Sequence, residues 1–227
     1  MAVRVLRAAH RPSSAWLNGG GVTREVAGAP HGAPVGGFDW RVSLADVARD
    51  GPFSTFPGVD RVITLVEGAG MALTVAGTEH VLGQPYRPFA FPGDAETRCR
   101  LPGGPVVGLN VMTRRGRATA EVAVVDPAHG IEVPAGAVLL VVCLTGSATL
   151  GSTGVTLGRF DAALLTPGGT VGTVRTVGPV GTVGPVGTVR TVGPVGTVVP
   201  GGSGTPGTPE LLRTDGATAV VTIRPHG

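Results

Sequence analysis

Phe38-Asp39-Trp40-Arg41-Val42-Ser43-Leu44 alternates without a break, with Phe38, Trp40, Val42 and Leu44 on one side and Asp39, Arg41 and Ser43 on the other. A period of two puts successive side chains on opposite faces of a strand and fits no helix. Leu109, Val111 and Thr113 oppose Asn110, Met112 and Arg114 in the same way. Around these segments, 39 glycines and 20 prolines break the apolar runs at short intervals, which leaves room for short strands joined by turns and none for long helices. The chain therefore reads as all-β. Strands are expected at 3–6, 23–26, 38–47, 61–67, 71–75, 79–82, 106–112, 121–125, 138–144, 148–150, 162–165 and 218–223.

Composition narrows the function classes. With 227 residues, 42% of them hydrophobic, the chain can bury a full core. No run of about 18 apolar residues is present and the N-terminus lacks an apolar signal core, so a cytoplasmic protein with no membrane partner is expected. All 18 basic residues are Arg against 15 acidic ones, a net charge of only +3. The one tight basic cluster, Arg114-Arg115-Gly116-Arg117, has no aromatic neighbour to stack on a base, so nucleic acid is not an expected partner. Cys99 and Cys143 lie in apolar stretches and read as reduced, buried thiols.

Two internal repetitions organise the chain. An apolar strand, a Gly turn, a short strand and a second apolar segment run from Val62 to Gly93, and the order recurs from Leu140 to Leu164. Two such copies suit two small barrels packed together. Separately, residues 172–183 recur unchanged at 187–198 within a Val/Gly/Thr/Pro tract at 170–200. Repeated Gly-Pro breaks disfavour a regular sheet, so this tract reads as a flexible insert.

Trp16 to Glu25, Phe38 to Ser43, Asp50 to Arg61, Phe91-Pro92-Gly93-Asp94 and Leu109 to Gly116 hold most of the aromatic residues and many of the charges. In these segments the chain resembles the HutD/Ves family, and the likeness covers residues 3–117 best. The resemblance implies a bicupin, two RmlC-like cupin β-barrels fused in one compact domain over 1–227. The first lobe would span roughly 1–117 and the second roughly 118–227. It also implies a bacterial protein associated with histidine utilisation, with a regulatory role that involves sensing a small molecule.

Cupin enzymes hold a metal through a His-x-His pair, a Glu and a later His. No His-x-His occurs here, and the five histidines are dispersed. Counting back from Gly68 as the closing Gly of the first cupin motif puts Arg61 where the Glu ligand would stand. A cation beside Arg61 is repelled, so no metal and no cofactor are expected. His80 alone falls on a strand near the expected mouth of the first barrel.

A guanidinium in a ligand's place suits an anion, because its planar fork matches a carboxylate. The expected ligand-binding residues are Asn18, Arg24, Arg41, Ser54, Arg61 and Asn110. The ordinary alternative is internal pairing of the arginines with Asp39, Asp60 and Glu25, favoured slightly for Arg24 and Arg41 and evenly balanced for Arg61. Asn18-Gly19-Gly20-Gly21 reads first as a tight turn and second as a loop lending amides to a ligand. Phe53 and Phe56 read as core or as a pocket wall.

The expected function is metal-free binding of a small polar or anionic metabolite, such as a carboxylate, by a modulator of amino-acid catabolism that is compatible with a homodimer. The rival is a metal-independent isomerase, lyase or hydrolase with Asp60 or Glu25 as its base, although no nucleophile, base and orienting group can be assembled. A third option is a partner-binding protein whose repetitive tract supplies the contact.

Overall fold

Alternating and β-branched runs between Gly and Pro turns form strands throughout the computed structural model, which describes residues 1–16, 19–125, 129–167, 181–182 and 210–226. The strands are β1 (Ala2–Leu6), β2 (Ser13–Ala15), β3 (Gly21–Ala29), β4 (Trp40–Val47), β5 (Gly51–Pro52), β6 (Val59–Glu67) and β7 (Met71–Val75). They continue as β8 (Thr78–Leu82), β9 (Pro88–Pro92), β10 (Thr97–Arg100), β11 (Val106–Arg114), β12 (Ala118–Val125) and β13 (His129–Ile131). The last are β14 (Val138–Cys143), β15 (Ala148–Leu150), β16 (Thr156–Leu157), β17 (Ala162–Thr166), β18 (Gly181–Thr182), β19 (Glu210–Thr214) and β20 (Thr218–Pro225). No α-helix occurs among the described residues; one 3-10 turn spans Ala8–His10. All twelve expected strands are present, while β2, β5, β9, β10, β13, β16, β18 and β19 were not anticipated.

The chain divides into two compact units, one holding described residues 9–16 and 19–120 and the other 1–8, 121–167 and 210–225 as far as these are described. In the first, a six-stranded sheet runs β2-β3-β4-β11-β6-β9 and a four-stranded sheet β5-β10-β7-β8. Its core lies between them, where Ala45, Val47, Ile63, Leu65 and Val106 meet Phe53, Met71, Leu73, Leu82 and Cys99. In the second, the sheets run β1-β17-β14-β20-β12-β18 and β13-β19-β15-β16, around Leu139, Val141, Leu165, Val220, Ile131, Leu150 and Leu212. Each fully buried aliphatic side chain contributes about 1.5–3 kcal/mol, so each unit carries a core of its own. Among the described residues no sheet closes on itself, and each unit is built as a six-stranded sheet with a four-stranded one.

The faint sequence duplication is present in the connectivity. Strands β6 and β9 pair in the six-stranded sheet while the hairpin β7–β8 between them joins the four-stranded one. Strands β14 and β17, with the hairpin β15–β16, repeat this arrangement. Strands β10 and β11 then return to β7 and β6, as β19 and β20 return to β15 and β14. Strand β1 does not join the sheet of the residues that follow it but pairs with β17, Ala2 opposite Thr166. Both cysteines are free and buried, and burial pushes their thiols up, to about 12 for Cys99 and about 11 for Cys143.

Candidate functional site

Strands β4, β11 and β6 lie side by side, with Arg41 opposite Met112 and Met112 opposite Arg61. On β9, Phe91 lies opposite Arg61. Directly opposed residues share a face, so these four side chains form one row across four strands. The next row holds Ser43, Asn110 and Ile63, and the one after it Ala45, Gly108 and Leu65. One face of this sheet thus changes from polar to apolar along the strands. The apolar end is the core of the unit. The polar end opens into a cavity of about 170 Å³ lined by Arg41, Ser43, Ser54, Arg61, Asn110 and Met112, with Phe53 and Phe56 from the loop after β5 and Trp16 and Thr23 from the β2–β3 hairpin.

Arg61 dominates this cavity. It is 6% exposed, and no carboxylate among the described residues pairs with it. Its Nη1 donates to the Ser54 carbonyl at 3.3 Å and its Nη2 lies 3.5 Å from Asn110 Oδ1. Its Nε is buried with no hydrogen-bond partner. The guanidinium carbon sits 4.8, 5.3 and 5.5 Å from the ring centres of Phe91, Phe53 and Phe56, so three aromatic faces stabilise the cation without taking its hydrogen bonds. Burial lowers its pKa to about 10, which leaves it charged at neutral pH. A desolvated cation with a spare donor is a strong hydrogen-bond donor site for an anion.

The other expected residues divide. Ser54, Arg41 and Asn110 line the cavity with Arg61. Arg41 donates Nε to Glu25 Oε2 at 2.7 Å, so its charge is matched within the protein. Arg24 does not line the cavity and pairs with Asp46. Asn18 lies outside the described residues. Its neighbours Gly19 to Gly21 make the β2–β3 turn, in which Gly19 N–H donates to the Trp16 carbonyl and Trp16 N–H to that of Gly21. Asp60 points to the opposite face of the sheet from Arg61 and pairs with Arg115 at 2.7 Å. His80 lines a separate groove of about 530 Å³ and packs on Phe89 at 4.7 Å.

Sequence reasoning passed over Ser43, Thr23 and the stacking role of Phe91. Alternation alone places Ser43 beside Arg41 on the inward face, so that signal was present. The register of β6 against β9, which brings Phe91 to Arg61, was not. A cupin-type metal does not fit these residues. The cavity offers two guanidiniums, hydroxyls, an amide and a thioether, and no group of three or more His, Cys, Asp or Glu able to hold a metal exists among the described residues.

The pattern of the HutD family matches residues 8–178. An uncharacterised 21.2 kDa protein in the hutC 3′ region of Pseudomonas putida is 37% identical over 138 residues, which is 61% of this chain and 72% of that one. Protein Ves of Citrobacter koseri is 44% identical over 117 residues, 51% of this chain and 60% of the relative, so the alignment spans less than two thirds of the Ves protein. The structure of HutD from Pseudomonas fluorescens SBW25 superposes over the full length of both chains, with a TM-score of 0.75 and 29% identity. A nickel(II) complex of a bacterial pirin from Escherichia coli shares the fold alone, at a TM-score of 0.60 and 8% identity.

Proposed function

The chain belongs to the HutD family, and from that premise we propose that it is a metal-free, cupin-like binding protein whose Arg61 cavity receives a small polar or anionic metabolite. The observation that carries this reading is the buried, unpaired Nε of Arg61 among three aromatic rings. An uncompensated buried cation is costly in an empty site and is compensated by an anionic ligand. A cavity of about 170 Å³ limits that ligand to a small molecule. The HutD of P. fluorescens was solved in a formate condition, and formate is a carboxylate of suitable size.

The metabolite is a signal in this reading, and the protein modulates amino-acid catabolism, histidine catabolism in particular, in the cytoplasm. The position of the P. putida relative beside hutC supports that assignment. Catalysis is the weaker reading, because Glu25 is held by Arg41 and Asp60 lies on the other face. Thermal unfolding in the presence of formate, urocanate and formylated glutamate tests the proposal. At least one of them raises Tm by several degrees when present at about a hundredfold excess over Kd, and Arg61→Ala removes the shift. No shift with any of the three, or a shift that survives Arg61→Ala, rejects it.

A further inference from the structure

Asp60 and Arg61 are neighbours on β6, so their side chains leave opposite faces of the sheet. On the Asp60 face, Asp60 lies opposite Thr113 of β11 and Pro92 of β9, and Val62 lies opposite Val111. These residues, with Ala118 and Ala120 at the start of β12, line a cavity of about 630 Å³. It is several times the volume of the Arg61 cavity and within the range of small-molecule sites. Its apolar wall is deep: Val62, Val111, Ala118 and Ala120 are 2–6% exposed.

The polar end of this cavity is rich in acceptors. Arg115 donates Nε to Asp60 Oδ1 at 2.8 Å, Nη1 and Nη2 to Asp94 at 2.9 and 2.7 Å, and Nη2 also to the Val59 carbonyl at 3.4 Å. Nearly all the donors of the guanidinium are therefore engaged. Two carboxylates against one guanidinium leave a formal charge of −1. The hydrogen bonds from Arg115 and the Gly58 amide hold Asp94 down to about 2, so this charge persists at neutral pH. Between the rim and the apolar wall stands Thr113, only 7% exposed, whose hydroxyl has no hydrogen-bond partner among the described residues. Cross-strand neighbours lie about 4.5–5.5 Å apart at Cβ, so one small head group reaches both Asp60 and Thr113.

We propose that this second cavity binds a small amphipathic primary ammonium ion, its head group donating to Asp60 and Thr113 and its apolar body lying on Val62, Val111, Ala118 and Ala120. An ammonium offers three donors and no acceptor, the complement of a carboxylate beside a free hydroxyl. A carboxylate ligand meets a net negative rim and an Arg whose donors are already used. The two cavities thus sit back to back on one sheet with opposite charge preference, and the second requires nothing of the first.

Isothermal titration calorimetry of the full chain with hexylamine and with 1-hexanol, which share a carbon chain and differ in charge, tests this. Hexylamine binds once per chain and at least about tenfold more tightly than 1-hexanol, the ratio expected of a charge-assisted hydrogen bond. Asp60→Asn brings the two affinities together. Thr113→Val, which keeps volume and leaves both ion pairs of Arg115 in place, weakens hexylamine without weakening 1-hexanol, and it decides the matter if Asp60→Asn fails to melt cooperatively. Absence of saturable hexylamine binding, equal affinity for the two probes, or a ratio untouched by both substitutions overturns the proposal.

Discussion

Arg61 stands at 6% exposure without a carboxylate partner, while the arginines around it are matched: Arg41 by Glu25, Arg24 by Asp46, Arg115 by Asp60 and Asp94. A structural arginine and a ligand-binding one differ in what their removal does to the empty protein. Removing one partner of a buried ion pair destabilises because the other charge is stranded, whereas Arg61 strands none. Arg61→Met keeps an unbranched side chain against Phe53, Phe56 and Phe91 and removes the desolvated charge. The ligand-free variant is therefore expected to match or exceed the native protein in urea stability, by up to about 1 kcal/mol, while losing its response to small carboxylates. A loss of several kcal/mol in the urea midpoint analysis would assign Arg61 to the architecture instead. The candidacy of Arg61 was legible from its place in the cupin spacing. The partners of Arg24 and Arg115 were not, because Asp46 and Asp94 reach them only through strand register and turn geometry.

At the scale of elements, alternation identified the longer strands but did not show how much of each face is covered. On β4 the polar residues Arg41 and Ser43 point inward with Ala45 and Val47, and Val42 and Leu44 on the reverse face are just as buried. A sheet buried on both sides leaves no solvent face for the pattern to report. The short strands escaped for other reasons. Pro88-Phe-Ala-Phe-Pro92 is framed by prolines, which a strand tolerates at the sheet edge where β9 lies. Gly93, which follows it, has no room for a Cβ: one built there would stand 2.7 Å from the Val59 carbonyl and 3.3 Å from Arg61 Cδ. The turn that closes β9 is thus packed against the stem of the site's main residue.

Another turn, at Asp161, holds the first strand to its sheet. Its carboxylate accepts from the Ala8 N–H at 2.8 Å, Arg7 Nη1 at 2.7 Å and the Gly158 N–H at 3.2 Å. Partial burial acts to raise its pKa, but these hydrogen bonds outweigh it and hold the carboxyl below the usual range. Asp161→Asn is expected to cost about 1–2 kcal/mol at neutral pH by urea denaturation. A depressed folded-state pKa contributes stability that is complete above the unfolded value of about 3.9 and is lost as pH falls through the lower folded value. The difference between native protein and variant should accordingly stay constant from about pH 5 to 8 and narrow below about pH 4. A difference that does not change with pH would mean that the charge of Asp161 is irrelevant to β1.

At the scale of the whole molecule, the repeated connectivity gives a measure of the repetitive tract. In the first unit β9 passes to β10 through residues 93–96. The corresponding passage in the second unit, from β17 to β19, takes residues 167–209. The tract at 170–200 lies outside the described residues except for Gly181–Thr182, whose pairing with Val122 and Glu121 adds two residues at the edge of a six-stranded sheet. Every residue lining the Arg61 cavity belongs to the other unit. Deleting 170–200 shortens a connection that its counterpart makes in a few residues, and loop-closure entropy favours the shorter chain by about 1 kcal/mol. The deletion variant is therefore expected to melt cooperatively at a Tm no lower than that of the full chain and to keep the same Kd for the carboxylate that stabilises the native protein. A lost cooperative transition would make the tract part of the second unit's fold. An intact fold with weakened carboxylate binding would give the tract a role at the site that nothing in the first unit requires.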